Sequence, residues 1–495
     1  MSLVGLDMNA TRARAVTGPA LHKVALLRLE GEQVELPLAV SLEEKQLRVG
    51  KAGLALVRAR PHLACLDFLP FLGAGRVWTG GVHRLDADRA VEVTLAALAR
   101  LLGRSAGIGC VLPAYLEDDQ RVQLYRLAER ARLPLLASLP APVAAALGAS
   151  LPGEEEGLVL VVDVDGHAMT WSIVERLGGR LRLRLVQPAT HLARGLWLRR
   201  LLDGAAARCV RQSRRDPRDS AITEQSLYEQ LAAAISLGEP RLAQLHIQGT
   251  GWFFHLMLHP DEMAGFVAPL LRQTLAELDA ILVALDALGS LAGVVVTHAA
   301  AGLPGLVALL QARLQLRQDH APLPDENTDY GESLLRVIRT VGPLCVLPVD
   351  TPACVAHELA VRVHQGDFPP GHLDSIALSG QGAPTEDAGP PRLSFRGQDH
   401  VLSQHAFLLG RDPACDLVFE SELYPHVSGQ HCEIVFDQRS YVLRDRSRHG
   451  TLVNDRPVQQ TALHSGDWIR LGPRGPVLRF LGESLRRSPA RREER

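Results

Sequence analysis

The chain has 495 residues; 46% of them are hydrophobic, 22% are charged, and the formal net charge at pH 7 is -2. Such a length predicts roughly two to four domains, and the near-neutral charge gives no electrostatic reason to expect nucleic-acid binding. The N-terminal residues lack a secretory-signal pattern, and no uncharged apolar run reaches the roughly 18 residues typical of a membrane helix. We therefore predict a cytoplasmic protein that binds neither nucleic acid nor a membrane.

The seven cysteines are odd in number, and none lies in a Cys-x-x-Cys pair. Most fall inside apolar runs, as Cys110 does before Val111. This pattern indicates buried free thiols in a reducing compartment rather than a zinc site or a disulfide framework. The 19 histidines show no metal-ligand spacing either, so we predict no metal site.

The N-terminal three quarters of the chain alternate between strand-like and helix-like segments. Short apolar runs predict buried strands at 3–7, 108–112 and 158–164. Helical periodicity predicts helices at 86–102 and 118–131. Strands that alternate with helices in this way are typical of an α/β domain.

Several segments of this region follow one another in an order that can be compared with known families. They are Val111-Leu112-Pro113-Ala114-Tyr115 with Asp118 and Gln120-Arg121, then residues 139–147, 160–175, 190–192, 266–314 and 346–363. Their order resembles that of the 70-kDa heat-shock chaperone family over residues 1–367. The resemblance implies an actin-like ATPase fold, in which two lobes enclose a cleft for ATP and magnesium.

Two turns would hold the nucleotide phosphates in such a fold. The family's first loop reads Asp-x-Gly-Thr-Thr, whereas this chain has Asp7-Met8-Asn9-Ala10-Thr11. The second reads Asp-x-Gly-Gly-Gly-Thr, against Asp163-Val164-Asp165-Gly166-His167-Ala168 here. Loops that approach phosphate oxygens closely need glycine. Asp165 would also place a negative charge where phosphate is expected.

Other parts of the family's machinery are altered too. By alignment with its neighbours, the catalytic lysine falls near Leu69, the Asn-Glu-Pro glutamate at Ala141 and the adenosine-side Gly-Gly-Ser-Thr-Arg at 298–302. The residues that remain as candidates for a residual nucleotide and magnesium cleft are Asp7, Thr11, Asp163 and Gly166. Acids alone do not position an attacking water. We predict a degenerate, catalytically silent domain; the alternatives are slow turnover and nucleotide binding without hydrolysis.

The next two boundaries follow from composition. Residues 368–397 are rich in proline and glycine without a long apolar period, which predicts a flexible linker. The heat-shock family places a substrate-binding β-domain and a helical lid after this point, and neither pattern follows here. Residues 483–495 are polar and predict a disordered tail.

Residues 398–482 contain short apolar runs separated by turn residues at near-regular spacing, which predicts a small all-β sandwich. Its polar and glycine positions have fixed offsets: Gly410-Arg411, Ser428-x-x-His431 and Ser447-x-His449-Gly450-Thr451-x-x-Asn454. This pattern resembles the forkhead-associated (FHA) domain, a reader of phosphothreonine. It implies a phosphothreonine-containing partner, either a Ser/Thr kinase or one of its substrates.

The resemblance also implies roles for single residues. A phosphate reader needs a forked cation and a hydroxyl or N–H donor on the same phosphate, and the family positions matching Arg411 and Ser428 hold it. The position matching His431 is structural and fixes the Ser428 loop. The other positions that match the family's structural residues are Gly410, Gly450, Thr451 and Asn454.

Two family positions differ. The arginine that usually follows the serine is Gly429 here, and the asparagine that holds the peptide backbone is His449. Arg448 is a candidate for replacement charge. We predict a phosphothreonine-binding adaptor on a degenerate chaperone-type scaffold. The alternatives are a divergent chaperone-like ATPase that its FHA domain targets, and an FHA fold that no longer binds phosphate.

Overall fold

The structure, a computed structural model, describes residues 2–20, 23–149, 157–177, 179–288, 291–319, 344–377, 391–395, 398–402, 406–421, 424–437, 440–453, 456–463, 467–472 and 475–481. Asn454 and the predicted tail lie outside the described residues. The chain divides into two compact units, one with Met1–Leu116 and Gln123–Gly380, the other with Glu117–Val122 and Gln381–Arg495. In the described part, no helix combines the length and the apolar character needed to cross a membrane.

The first unit contains two large mixed sheets. In neighbour order, the first sheet is Gly371–His372, Leu135–Pro140, Ser105–Leu112, Ser2–Met8, Arg12–Ala20 and Lys23–Leu26, with Glu35–Pro37 also paired to Arg12–Ala20. The second is Leu344–Val346, Leu291–Val296, Gly157–Val164, Met169–Leu177, Arg180–Ala189 and Ser375–Ala377. Three small sheets are formed by Arg48–Val49, Ala39–Ser41 and Ala64–Leu66, by Val77–Gly80 and His83–Asp86, and by Ala243–Gly249 and Trp252–Leu258.

Helices connect and cover these sheets. They are Lys51–Leu54, Ala87–Leu102, Asp118–Arg130, Ala141–Gly148, Arg194–Ser213, Ala221–Ala234, Pro260–Phe266, Ala268–Leu288, His298–Ala301, Leu306–Asp319 and Thr351–Gln365. Short 3-10 turns lie at Pro61–Leu63, Leu69–Phe71, Thr190–Leu192 and Pro217–Asp219. The mixed α/β content predicted for this region is confirmed.

The two large sheets share one plan. In each, one central strand pairs antiparallel with its hairpin partner and parallel with another strand. Ser2–Met8 does so with Arg12–Ala20 and Ser105–Leu112, respectively. Gly157–Val164 does so with Met169–Leu177 and Leu291–Val296. Strands covered on both faces read as continuous apolar runs, which is why the central strands could be predicted. Trp171 and Trp197 are fully buried in the core of the second sheet.

Gly5 allows a helix to approach the first sheet closely. A Cβ added at Gly5 would lie 2.1 Å from the oxygen of Ala353 and 2.3 Å from the nitrogen of His357, both backbone atoms of helix Thr351–Gln365. We expect Gly5→Ala to lower the free energy of unfolding by about 1–3 kcal/mol, because the helix must move. Urea unfolding monitored by circular dichroism measures the change.

Gly195 provides the matched control for that substitution. It lies in helix Arg194–Ser213, and a Cβ there would meet nothing within 4 Å. Gly195→Ala should leave the stability equal or slightly raised, because alanine favours a helix over glycine. Equal losses in the two variants would contradict the packing argument at Gly5.

The described part of the predicted linker, 368–397, is not a plain linker. Gly371–His372 extends the first sheet, Ser375–Ala377 extends the second, and Arg392–Phe395 is a strand of the sandwich. Gly371–His372 and Ser375–Ala377 lie at sheet edges, Arg392–Phe395 pairs on both sides, and all three are held by backbone hydrogen bonds that need no apolar period. Composition could therefore not reveal them. Residues 378–390 lie outside the described part.

The C-terminal part of the second unit, from Arg392 to Leu481, is an all-β sandwich, as predicted. One sheet runs Gln398–Val401, Arg392–Phe395, Val477–Leu481, Trp468–Leu471, Thr451–Val453 and Arg456–Val458. The other runs Leu417–Val418, Phe407–Gly410, Cys432–Asp437, Ser440–Asp445 and Gln460–Ala462. Its core includes the fully buried side chains of Leu393, Leu409, Leu443, Ile469, Leu471 and Leu478.

Candidate functional site

Two loops of the sandwich run side by side. The N–H of Arg411 donates to the carbonyl of Ser428 at 3.0 Å, and the N–H of Asp412 donates to the carbonyl of Gly429 at 2.8 Å. The approach is so close that a Cβ added at Gly410 would lie 2.0 Å from the oxygen of Gly429. Glycine at position 410 thus lets the Arg411 and Ser428 segments meet.

His431 ties the Ser428 loop to a third loop. Its ring is fully buried, its Nδ1 accepts the N–H of Ser428 at 3.0 Å, and its Nε2 lies 3.3 Å from the carbonyl of Gly450. Because an amide N–H can only donate, Nδ1 carries no proton and Nε2–H donates to Gly450. Burial lowers the pKa of His431 below its usual value, which fits this neutral form.

The third loop also contacts Ser428 directly. The N–H of Arg448 donates to Ser428 Oγ at 3.1 Å, so the hydroxyl keeps its own hydrogen to donate elsewhere. The pair of half-buried Asp445 and buried Thr451 shapes the loop, since Thr451 Oγ1 donates to the Asp445 carboxylate at 2.7 Å. Gly450 has a φ of 77°, in the region that favours glycine.

The arginines around these loops differ in their partners. Arg446 pairs with Glu433 at 2.6 Å, and Arg444 lies 3.8 Å from the same carboxylate. Arg411, by contrast, forms no ion pair within the part of the chain that the structure describes, and its buried Nε has no hydrogen-bond partner there. Arg448 is exposed. The Arg411 guanidinium is therefore not neutralised by a described acid.

In the first unit, the candidate cleft residues lie at two matching turns. Met8 opposes Ala13 and Val164 opposes Met169, so each hairpin turns between those pairs. In each turn, the side chain of the first residue accepts backbone hydrogen bonds from the residues that follow it. Asn9 Oδ1 accepts two backbone N–H groups of its own turn, and Asp165 Oδ1 does the same. This is the local bonding that Asn and Asp favour in turns.

Asp165 also accepts hydrogen bonds from outside its own turn. Its Oδ2 accepts the N–H of Ala10 at 3.0 Å and the hydroxyl of Tyr115. With the N–H groups of His167 and Ala168, this carboxylate has four donors. It is only 4% exposed. An anion supplied by the chain itself therefore holds the two turns together.

The predicted cleft residues are brought together, and each has an internal partner. The N–H of Gly166 donates to Thr11 Oγ1 at 2.6 Å. Asp7 forms an ion pair with Arg12 at 2.7 Å. Asp163 accepts the hydroxyl of Thr297 at 2.6 Å. The carboxylates and donors that a nucleotide and its cation would use thus already bond to the chain.

Asp67 lies beside the candidate cleft residue Gly166, and the sequence did not indicate this. A Cβ added at Gly166 would lie 2.2 Å from an Asp67 carboxylate oxygen. Burial, and then the charge of Asp165, raise the pKa of Asp67 to about 7. Burial likewise raises the pKa of Asp163 to about 6. A concentration of buried acids repels further negative charge.

These observations test whether a phosphate chain fits between the turns. A phosphate needs free N–H donors and a closely approaching backbone. Here the donors of Ala10, His167 and Ala168 point at the Asp165 carboxylate, and Asp67 lies against Gly166. The residues present do not fit a nucleotide phosphate in this arrangement.

Comparison with known proteins supports both family resemblances. Residues 407–472 match the family model of the FHA domain. The chain therefore carries an FHA domain at its C-terminal end. The three loops that hold Arg411, Ser428 and Gly450 all lie within the matched range.

The N-terminal half is weakly similar to HscA, a chaperone of the 70-kDa heat-shock type. It is 28% identical over 192 residues to a chaperone protein HscA homolog of Vibrio cholerae, with 39% of this chain and 30% of that protein covered. HscA of Yersinia pseudotuberculosis is 27% identical over 234 residues, covering 46% and 35%. A homolog of Pasteurella multocida is 24% identical over 276 residues, covering 50% and 43%. The chain thus spans about a third of the length of the first curated relatives it matches.

The FHA domain brings the predicted reader residues into adjoining loops. Those that lie there are Arg411, Ser428, Gly429, Arg448 and His449. Sequence reasoning missed His426, whose ring packs edge-on against His449 with 5.5 Å between ring centroids. Both histidines are exposed. His426 precedes the Ser428 motif by two residues and belongs to no family pattern, so only the fold could connect it to His449.

We expect the FHA domain to lose stability in mild acid because of His431. Its folded pKa is lowered, so the unfolded chain takes up the proton first, near pH 6.5. The stability that His431 contributes is full above that pH and falls as the pH drops from 6.5 toward the folded pKa. Thermal unfolding of wild type and His431→Gln between pH 8 and pH 5 measures this, and the variant should lose less of its melting temperature.

Gln460→Ala, at an exposed position of the sandwich that carries no titratable group, is the control for that comparison and should keep the wild-type pH dependence. If His431→Gln and wild type had equal slopes, the assignment of a neutral, buried imidazole would be contradicted.

Proposed function

We propose that this protein is an adaptor that binds phosphothreonine-containing proteins through its FHA domain. The observation that carries the proposal is the direct contact of the Arg411 and Ser428 segments. A phosphothreonine carries a charge of about -1.5 to -2 and three acceptor oxygens. A guanidinium fork and a hydroxyl that keeps its hydrogen are suited to that group.

The arrangement around the pair supports phosphate as the ligand. Ser428 Oγ is held by the N–H of Arg448, and the Ser428 loop is fixed from behind by the buried His431 ring. Preorganised donors lose little conformational entropy when they bind. Arg448, whose backbone N–H makes that bond, also has an exposed side chain that adds positive charge to the loop. The partner in this proposal is a Ser/Thr kinase or one of its substrates.

The first unit serves in this proposal as a scaffold that does not hydrolyse ATP. The support is that Arg12 provides the counter-cation of Asp7 and Asp165 takes the donors of both turns. Cation and anion are both supplied by the chain, in the place where its relatives would use magnesium and phosphate. The competing function is a divergent ATPase whose FHA domain selects its targets.

The reader function is tested with the full-length protein and an immobilised phosphothreonine peptide library. We expect retention of a subset of phosphorylated peptides and none of their unphosphorylated counterparts. Binding that ignores phosphorylation, or no binding across the library, would refute the reader function. The phosphoserine forms of the retained peptides show whether the threonine methyl group is also read.

The ATPase alternative is tested separately, with labelled ATP and magnesium. We expect neither saturable ATP binding nor release of phosphate above the buffer blank. Phosphate release that Asp7→Ala abolishes would favour the enzyme. Asp261→Ala, at an exposed acid outside the turns, is the control for non-specific effects of removing a carboxylate.

A further inference from the structure

An exposed histidine pair lies on the two-stranded sheet of the first unit. Strands Ala243–Gly249 and Trp252–Leu258 are antiparallel, and His246 lies directly opposite His255. The Nδ1 atoms of the two rings are 2.7 Å apart, and the ring centroids are 4.6 Å apart. Neither residue belongs to the turn cluster or to the FHA loops, so neither proposed function uses this pair.

The pair faces solvent because the strands alternate. Leu245, Ile247 and Leu256 are at most 2% exposed and belong to the core. His246 and His255 point to the opposite face and are exposed. These are therefore not core histidines held by buried partners.

The backbone around His246 is fixed by one side chain. The Gln230 amide accepts the N–H of His246 at 2.7 Å and donates to its carbonyl at 3.0 Å. These two backbone groups consequently face away from the neighbouring strand. Such a residue belongs to a non-hydrogen-bonded pair, the type whose Cα atoms and side chains come closest in an antiparallel ladder.

The second ring is restricted as well. Phe253 lies two residues before His255 on the same face and packs edge-on against it, with 4.2 Å between ring centroids and an interplanar angle of 88°. Both imidazoles are thus oriented before any ligand arrives. Preorganisation of this kind lowers the entropic cost of binding.

We propose that His246 and His255 together bind a divalent transition-metal ion of the nickel, copper and zinc group. Imidazole nitrogen is a preferred ligand of these ions. At metal–nitrogen distances of about 2.0–2.1 Å, two ligands at a right angle are about 3 Å apart. The observed 2.7 Å between the Nδ1 atoms needs only a slight widening.

The site is open. Among the described residues, no group of three or more histidine, cysteine, aspartate or glutamate side chains is placed to hold a metal ion. In this proposal, water molecules fill the coordination positions of the ion that the two imidazoles leave open. The sequence predicted no metal site because the two histidines are separated by a hairpin turn and follow no ligand spacing; only the strand register places them opposite each other.

The test is calorimetric titration of the full-length protein with Ni²⁺, with Mg²⁺ as the hard-ion control. We expect one tight Ni²⁺ equivalent in wild type, which His246→Ala and His255→Ala each lose, and no such event with Mg²⁺. His83→Ala, on a different hairpin, should retain it. Ni²⁺ should also raise the thermal midpoint of wild type and of the control, but not of either pair variant.

Two results overturn the proposal. One is the absence of a saturable Ni²⁺ event in wild type, which would leave the pair as two imidazoles that hydrogen-bond to each other. The other is retention of the event in either single variant, which would place it among the other histidines. Both substitutions are at exposed positions, so we expect each variant to fold. Melting curves recorded without metal check this.

Discussion

Arg411→Ala is expected to weaken phosphothreonine-peptide binding by at least about tenfold while the FHA domain stays folded. A hydrogen bond to a charged group contributes about 1.5–3 kcal/mol, and each 1.4 kcal/mol corresponds to a factor of ten. In the described residues the Arg411 guanidinium has no acid to neutralise it, so its removal breaks no ion pair there. The loss should therefore appear in affinity and not in stability. Calorimetric titration with a library-selected peptide measures it.

Arg411→Lys separates charge from geometry. Lysine keeps the positive charge but cannot form the planar, two-pronged contact of a guanidinium with phosphate. We expect an affinity between those of wild type and Arg411→Ala. Arg446→Ala is the matched control, because Arg446 lies in an adjoining loop but already pairs with Glu433. If Arg411→Ala bound as tightly as wild type, Arg411 would not be the phosphate ligand.

The regular parts of the fold were predictable because their cause is local. The strand Gly157–Val164 is apolar almost throughout, and the helix Ala87–Leu102 begins where Asp86 caps the N–H of Arg89. Both signals are present in neighbouring residues. The short edge strands, such as Ser375–Ala377, have no such signal, because a partner strand far away in sequence creates them.

The candidate sites show the same limit. Family spacing selected Arg411 and Ser428 as candidates, and their backbone segments are hydrogen-bonded to each other; their role in phosphate binding stays a prediction. His426 and the His246–His255 pair could not be selected, since tertiary contact and strand register bring them to their partners. Asp165 could be recognised only as a charge that would repel phosphate. Its four donors come from two turns and from Tyr115, and no sequence pattern shows that they converge.

The convergence on Asp165 shows how the two turns of the first unit satisfy their hydrogen-bond donors within the chain. In a nucleotide-dependent fold, the ligand satisfies the donors of two facing turns. Here Ala10 N–H and the donors of the second turn are satisfied by Asp165, and Gly166 N–H is satisfied by Thr11. Buried donors without acceptors are costly, so the internal carboxylate stabilises both turns.

Asp165→Ala is therefore expected to destabilise the first unit by about 3–5 kcal/mol. The substitution leaves the N–H groups of Ala10 and Ala168 and the Tyr115 hydroxyl without their acceptor, and each buried unsatisfied donor costs about 1–3 kcal/mol. One opposing effect is relief of repulsion, because Asp165 contributes to the raised pKa of Asp67. That effect is smaller, since burial is the larger cause of the shift. Urea unfolding at pH 7 measures the balance.

Asp165→Asn and added inorganic phosphate complete the test. Asparagine keeps one oxygen acceptor but turns an NH₂ group toward the remaining donors, so we expect an intermediate stability. Millimolar phosphate should raise the unfolding midpoint of Asp165→Ala and leave that of wild type unchanged, because only the variant has free donors for an anion. If Asp165→Ala were as stable as wild type, or if phosphate stabilised both proteins equally, Asp165 would not be the anion that joins the two turns, and the case for a silent cleft would lose its main support.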